Sequence, residues 1–208
     1  MLGYDIFQNP TDTKTLRPLI EKMKLADQSH RHIVADAGYG SESNYRYLED
    51  ELPHHTGLIP YGTMFKEQSK KWKTDELKVM NWTYQEKEDY YIDPKGVRFN
   101  FYTYRQKKDK DGFSRDIKEY QAEKLDENQK IIPAALTPKG SLRKVSVNPA
   151  WEYHKAKQKE LLNSSDTGKI YERRKIDVET VFGFMKSCLG FTRLQFEAWI
   201  KLEYSLAF

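Results

Sequence analysis

The chain has 208 residues, enough for one domain or for one domain carrying a large insertion. With 38% hydrophobic and 13% aromatic residues it is not disordered in type, and a net charge of +4 permits a nucleic-acid partner without demanding one. A single cysteine, Cys188, excludes an internal disulfide framework and a Cys-rich zinc site and fits a reducing cytosol, and the lack of an 18-residue apolar run excludes a helical membrane span.

Residues 1–9 read as a short strand, and "PTDTKTLRPLIEKMK" as a helix. Thr11 or Thr13 is its expected cap, and Leu16, Leu19, Ile20 and Met23 form its apolar stripe. "HIVADAG" is an apolar strand, "SESNYRYLEDEL" a helix with Ser41 at its N-cap, and "TGLIPYG" a further strand. This β-α-β-α-β order predicts an α/β sheet with parallel members. Residues 62–150 change character: aromatic runs flank "DPKG", "KKDKDGFS" is a second turn, and one or two hairpins are expected before a Pro/Lys loop. Helices return over "NPAWEYHKAKQKELLN" and from about Lys169 to Leu189, where Val178, Val181, Phe182, Met185 and Leu189 share a face and Gly190 follows as a stop.

Asp36 stands at the carboxyl end of its strand, where functional groups of α/β sheets gather. Gly38 and Gly40 let the chain turn away and leave the carboxylate accessible; the plainer reading is an Asp that caps a turn. Glu179 is the second acid. Lys175, Gly183 and Lys186 lie along its helical stripe, and Gly183 leaves room for a metal or a phosphate unless it serves only close packing. Two carboxylates without Cys or a His cluster suit Mg²⁺ or Mn²⁺ and phosphodiester chemistry. His30, His32, His54 and His55 are expected at the surface, and Cys188 as a small core residue. Three basic clusters, "KEQSKKWK", "RQKKDK" and "GSLRK", lie near Trp72, Trp82 and Tyr104, a pairing that serves phosphate contact and base stacking unless the loops are merely solvated.

"NPTDTKTL", "IVADAGYGSESNY", "GLIPYG", "VNPAWEYHKAKQKELL" and "YERRKIDVETVFGFMKSCLGFTR", in this order, resemble bacterial insertion-sequence transposases of the DDE type. The resemblance implies an α/β, RNase H-like core, incomplete and lacking its first strands, with a β-rich insertion before the last acidic helix. The expected parts are a core remnant over 1–61, the insertion over 62–150, and C-terminal helices over 151–208 that carry the third acid. It implies that Asp36 and Glu179 are the second and third acids and bind Mg²⁺ or Mn²⁺, and that Tyr171, Arg174, Lys175 and Lys186 contact DNA in a Tyr-Arg-Glu-Lys signature. Arg174 is one residue off the family spacing, so Arg173 or Lys175 stand as alternatives.

The first aspartate of the triad belongs to a strand upstream of residue 1, and Asp5 does not replace it. Relatives carry cysteines near residues 124–137 where this chain has none, and they run on past its end. The expectation is therefore a transposase truncated at both ends, inactive alone, working with insertion-sequence ends and target DNA in the bacterial cytoplasm at the nucleoid. Candidate partners are an upstream half and a second copy in a homodimer; no membrane is involved. The rivals are a non-catalytic DNA-binding remnant and a plain metal-dependent nuclease.

Overall fold

The computed structural model describes residues 5, 7, 11–23, 31–174, 176 and 180–188. The chain divides into two compact units, Met1–Glu160 and Leu161–Phe208. The strand expected over residues 1–9 lies outside the described residues apart from Asp5 and Phe7.

The first unit opens with a 3-10 turn, Asp12–Lys14, and helix α1, Leu16–Lys22. Neither Thr11 nor Thr13 caps this helix. Its N-cap is Thr15, whose hydroxyl donates back to the Asp12 carbonyl at 2.9 Å, so the first polar residues go into a tight turn instead. Strand β1, His32–Val34, helix α2, Glu42–Asp50, and strand β2, Thr56–Leu58, form a β-α-β unit in which the strands run parallel, with Ile33 opposite Gly57. Ser41 caps α2 as its sequence predicts, accepting from the Asn44 N–H. Leu16, Ile20, Tyr45, Leu48 and Ile59 are buried between these elements. Each such side chain contributes about 1.5–3 kcal/mol on leaving water.

Helix α3, Lys70–Lys73, precedes a five-stranded antiparallel meander in chain order: β3, Thr83–Gln85; β4, Tyr90–Ile92; β5, Arg98–Lys108; β6, Ser114–Ala122; β7, Lys144–Val147. This exceeds the one or two hairpins expected. The turns share one device. Asp93 accepts from the Lys95 and Val97 N–H groups, Asp109 from Asp111 and Phe113, and Asp126 from Asn128 and Lys130. A carboxylate that satisfies the turn's own amides makes a stable reversal without any distant contact. Val97, Phe99, Tyr120 and Ala122 form the core on one face of this sheet.

Helix α4, Pro149–Asn163, starts as its Asn-Pro pair predicts: Asn148 accepts from the Trp151 N–H at 2.9 Å, and Pro149 takes the first helical position. Gln158, on α4, is 5% exposed and works as a surrogate strand. Its amide accepts from the Ile59 N–H at 3.1 Å and donates to the Gly57 carbonyl at 3.0 Å, so it closes the outer edge of β2.

The architecture is thus mixed α/β. In the second unit, helix α5, Thr167–Arg174, and helix α6, Thr180–Cys188, cover the described part of the expected Lys169–Leu189 helix. Among the described residues, no helix is long and apolar enough to cross a membrane.

Candidate active site at the carboxyl end of the first strand

Asp36 follows β1 by two residues, and the ladder reaches it: the Ala35 N–H donates to the Leu58 carbonyl. The chain then folds into a 3-10 turn, Ala37–Tyr39, and Asp36 caps it by accepting from the Gly38 N–H at 2.8 Å. Both readings of Asp36 therefore hold at once. One carboxylate oxygen fixes the turn, and the side chain stays half-exposed at the rim of the sheet.

The two glycines serve close approach, not unusual dihedrals. Gly40 has φ −72°, open to any residue. A Cβ on Gly40 would lie 2.3 Å from the Pro60 carbonyl oxygen and 2.9 Å from the Tyr45 hydroxyl. A Cβ on Gly38 would lie 2.8 Å from Oδ2 of Asp12 and 3.0 Å from Oδ1 of Asp36. The bare Gly38 backbone thus gives two carboxylates room on one spot. Sequence reasoning did not single out Asp12, which lies between the two threonines expected to cap a helix; the 3-10 turn Asp12–Lys14 carries it beside Gly38.

Asn44 locks this arrangement. It is 3% exposed, and its side-chain amide donates to the Thr13 carbonyl at 3.0 Å and to the Tyr39 carbonyl at 2.8 Å, one from each acid-bearing turn. Burial raises the Tyr39 phenol above its ordinary value, and the nearby charges of Asp12 and Asp36 add to the effect. Behind the turn, Glu42 is 3% exposed and faces Arg46 at 2.8 Å and Arg115 at 3.4 Å, while Asn148 donates to it at 2.6 Å. Its Oε1 contacts Arg46 as an ion pair without hydrogen-bond geometry. Arg115 lies on β6 and Asn148 at the start of α4, so one buried carboxylate joins the strand meander to the Asp36 loop.

Among the described residues no group of three or more His, Cys, Asp or Glu side chains converges. Asp12 and Asp36, whose carboxylates both approach Gly38, offer hard oxygen donors of the kind Mg²⁺ and Mn²⁺ take. These residues fit such an ion.

Of the other predicted site residues, Glu179 and Lys175 lie outside the described residues, and Lys186 is placed only as a backbone position on α6. Tyr171 and Arg174 are on α5, both half-buried, with the Arg174 guanidinium 5.5 Å from the Tyr171 ring centroid. A Cβ on Gly183 would meet nothing described within 4 Å. Cys188, expected in a core, is exposed. His54 is exposed as expected, but His32 and His55 are half-buried, and both ring nitrogens of His55 are shielded from water without a hydrogen-bond partner. The His55 backbone N–H closes a turn by donating to the Leu52 carbonyl at 2.9 Å. His30 lies outside the described residues.

A family model described as "Transposase DDE domain" matches residues 1–206. No curated protein and no solved structure gives a significant match.

Proposed function

The chain belongs to the transposase DDE-domain family, whose members cut and transfer DNA strands during transposition with divalent metal ions, and from that premise we propose that Asp36 and Glu179 are its metal-binding acids. The observation that carries this reading is the half-exposed Asp36 carboxylate at the carboxyl end of a parallel strand, with Asp12 held beside it across Gly38. A bound Mg²⁺ or Mn²⁺ supplies Lewis-acid charge at the oxygens that attack and leave phosphorus. Asp36 and Glu179 would hold such an ion, and Asn44 fixes the turn that aims Asp36. Arg174 or Lys175, with Lys186 and Tyr171, would meet phosphate and sugar. Lysine serves there as a point charge and arginine as a planar fork.

The finer parts of the reading are proposals of the same kind. The core is RNase H-like, with 1–61 as its remnant, 62–150 as an insertion and 151–208 carrying the third acid. The parent is a bacterial insertion-sequence transposase that acts at element ends as a dimer. The matched motifs carry the second and third acids, and these two are the acids proposed to bind metal. The test is Mg²⁺-dependent nicking of labelled element-end DNA by the chain and by its Asp36→Asn and Glu179→Gln variants. The expected result is that either substitution abolishes the nicking seen with the unsubstituted chain. Nicking that survives both substitutions sinks the assignment. Binding without nicking in every case leaves the DNA-binding remnant as the better description.

A further inference from the structure

We propose that residues 65–73 are a landing surface for the phosphate backbone of duplex DNA at the rim that carries Asp36. The inference rests on the transposase reading and adds to it a named surface in the first unit. Because β1 and β2 are parallel, their carboxyl ends share one rim: Asp36 follows β1, and Pro60 and Tyr61 follow β2. The close approach of Gly40 to the Pro60 carbonyl holds the two exits together.

The segment leaving β2 is then anchored from below. Glu67 is 3% exposed, and its carboxylate takes hydrogen bonds from Tyr61 at 2.7 Å and Thr63 at 2.9 Å and ion pairs with Lys155 at 2.9 Å and Lys159 at 2.8 Å. The one acid of residues 65–73 is therefore buried and neutralised from α4. What remains outside is cationic. Lys66, Lys70, Lys71 and Lys73 are all exposed, and among the described residues none is paired with a carboxylate. Phe65 stands beside them, 67% exposed.

An isolated lysine run is usually a solvated face. Here the run follows the exit of β2 beside the Asp36 loop, is tied to α4 through Glu67, and is stripped of its own acid, in a chain whose family acts on DNA. Phosphate is the complementary charge, and an exposed ring among phosphate-binding cations suits an apolar wedge against sugars and bases.

The test is fluorescence anisotropy of the full chain with a labelled DNA duplex, repeated over a range of salt. The variant Lys70→Ala/Lys71→Ala/Lys73→Ala is compared with Lys87→Ala/Lys124→Ala/Lys130→Ala, which removes the same charge from exposed positions of the meander outside the basic clusters. The salt slope falls by about 0.9 for each phosphate that is no longer neutralised. The first triple is expected to flatten the slope by about 2–3 and to weaken binding at least about tenfold, and the second to change the slope by less than about 1. Phe65→Ala should weaken binding and leave the slope alone. Equal losses in the two triples, or no change in the first, overturn the surface; equal competition by duplex RNA overturns the choice of DNA. Thermal unfolding of each variant checks that these exposed substitutions leave the fold in place. The assay involves no cleavage, so failure of metal binding at Asp36 with the slope change intact would sink the catalytic reading and keep the surface.

Discussion

At the scale of single residues, the site depends on side chains that are missing. Gly40→Ala would place a methyl 2.3 Å from the Pro60 carbonyl, a backbone atom that yields only if the rim shifts. The expected cost is about 1–3 kcal/mol, read as a lower urea midpoint at unchanged slope. Gly38→Ala meets side-chain oxygens instead and should cost less stability while moving Asp12 and Asp36 apart. The place of Asp36 after a strand was legible in the sequence because a strand, an acid and a close pair of glycines lie within nine residues, His32 to Gly40. Asp12 was not. Asp36 is 24 positions on, and the two carboxylates meet at Gly38 only because Asp12–Lys14 forms a 3-10 turn instead of the first turn of α1. Gln158 was equally hidden: in "HKAKQKELL" it is one more polar residue, and its role emerges only against the edge of β2. Gln158→Leu leaves the Ile59 N–H and the Gly57 carbonyl without partners and should cost about 2–6 kcal/mol at 1–3 for each orphaned group.

At the scale of elements, buried ion pairs fasten one piece to another. Glu67 joins the segment after β2 to α4. Burial opposes its charge, but hydrogen bonds from Lys159, Lys155, Tyr61 and Thr63 prevail and hold the carboxyl down at about 2, against an ordinary 4.5. The folded value is the depressed one, so this stabilisation is complete above 4.5 and is lost as the pH falls toward 2. It amounts to something on the order of 3 kcal/mol. Urea midpoints should therefore drop across that window, and Glu67→Gln should flatten the drop while lowering stability at neutral pH. In the meander, Asp93 caps its turn and pairs with Arg143 at 2.7 Å, its side chain only 2% exposed. Asp93→Ala should cost about 3 kcal/mol by leaving that guanidinium unpaired. The turns at "DPKG" and "KKDKDGFS" were readable from Gly beside Asp. The one at "DENQK" was not, because Gln129 takes the left-handed position there with φ 62°.

At the scale of the whole molecule, local patterns carried further than long-range ones. The short apolar strand of "HIVADAG", the Ser41 cap and the helix over "NPAWEYHKAKQKELLN" were the right element types, since each depends on neighbours a few residues away. The number of strands in the meander, the Glu42 hub shared by α2, β6 and the start of α4, and the burial of Glu67 all depend on partners dozens of residues distant. A net charge of +4 hides an uneven surface, because Glu67, the one acid within the Lys66–Lys73 run, is drawn into ion pairs and the lysines are left outside. The functional reading stands on Asp36 as a metal-binding acid of a DDE domain. The most direct measurement is Mn²⁺ binding by the full chain, followed through the electron paramagnetic resonance signal of the free ion, for the parent chain and for Asp36→Asn, Asp12→Asn and Glu179→Gln. The expected result is saturable binding that Asp36→Asn and Glu179→Gln each abolish and that Asp12→Asn weakens. Binding by Asp36→Asn as tight as that of the parent would contradict the assignment.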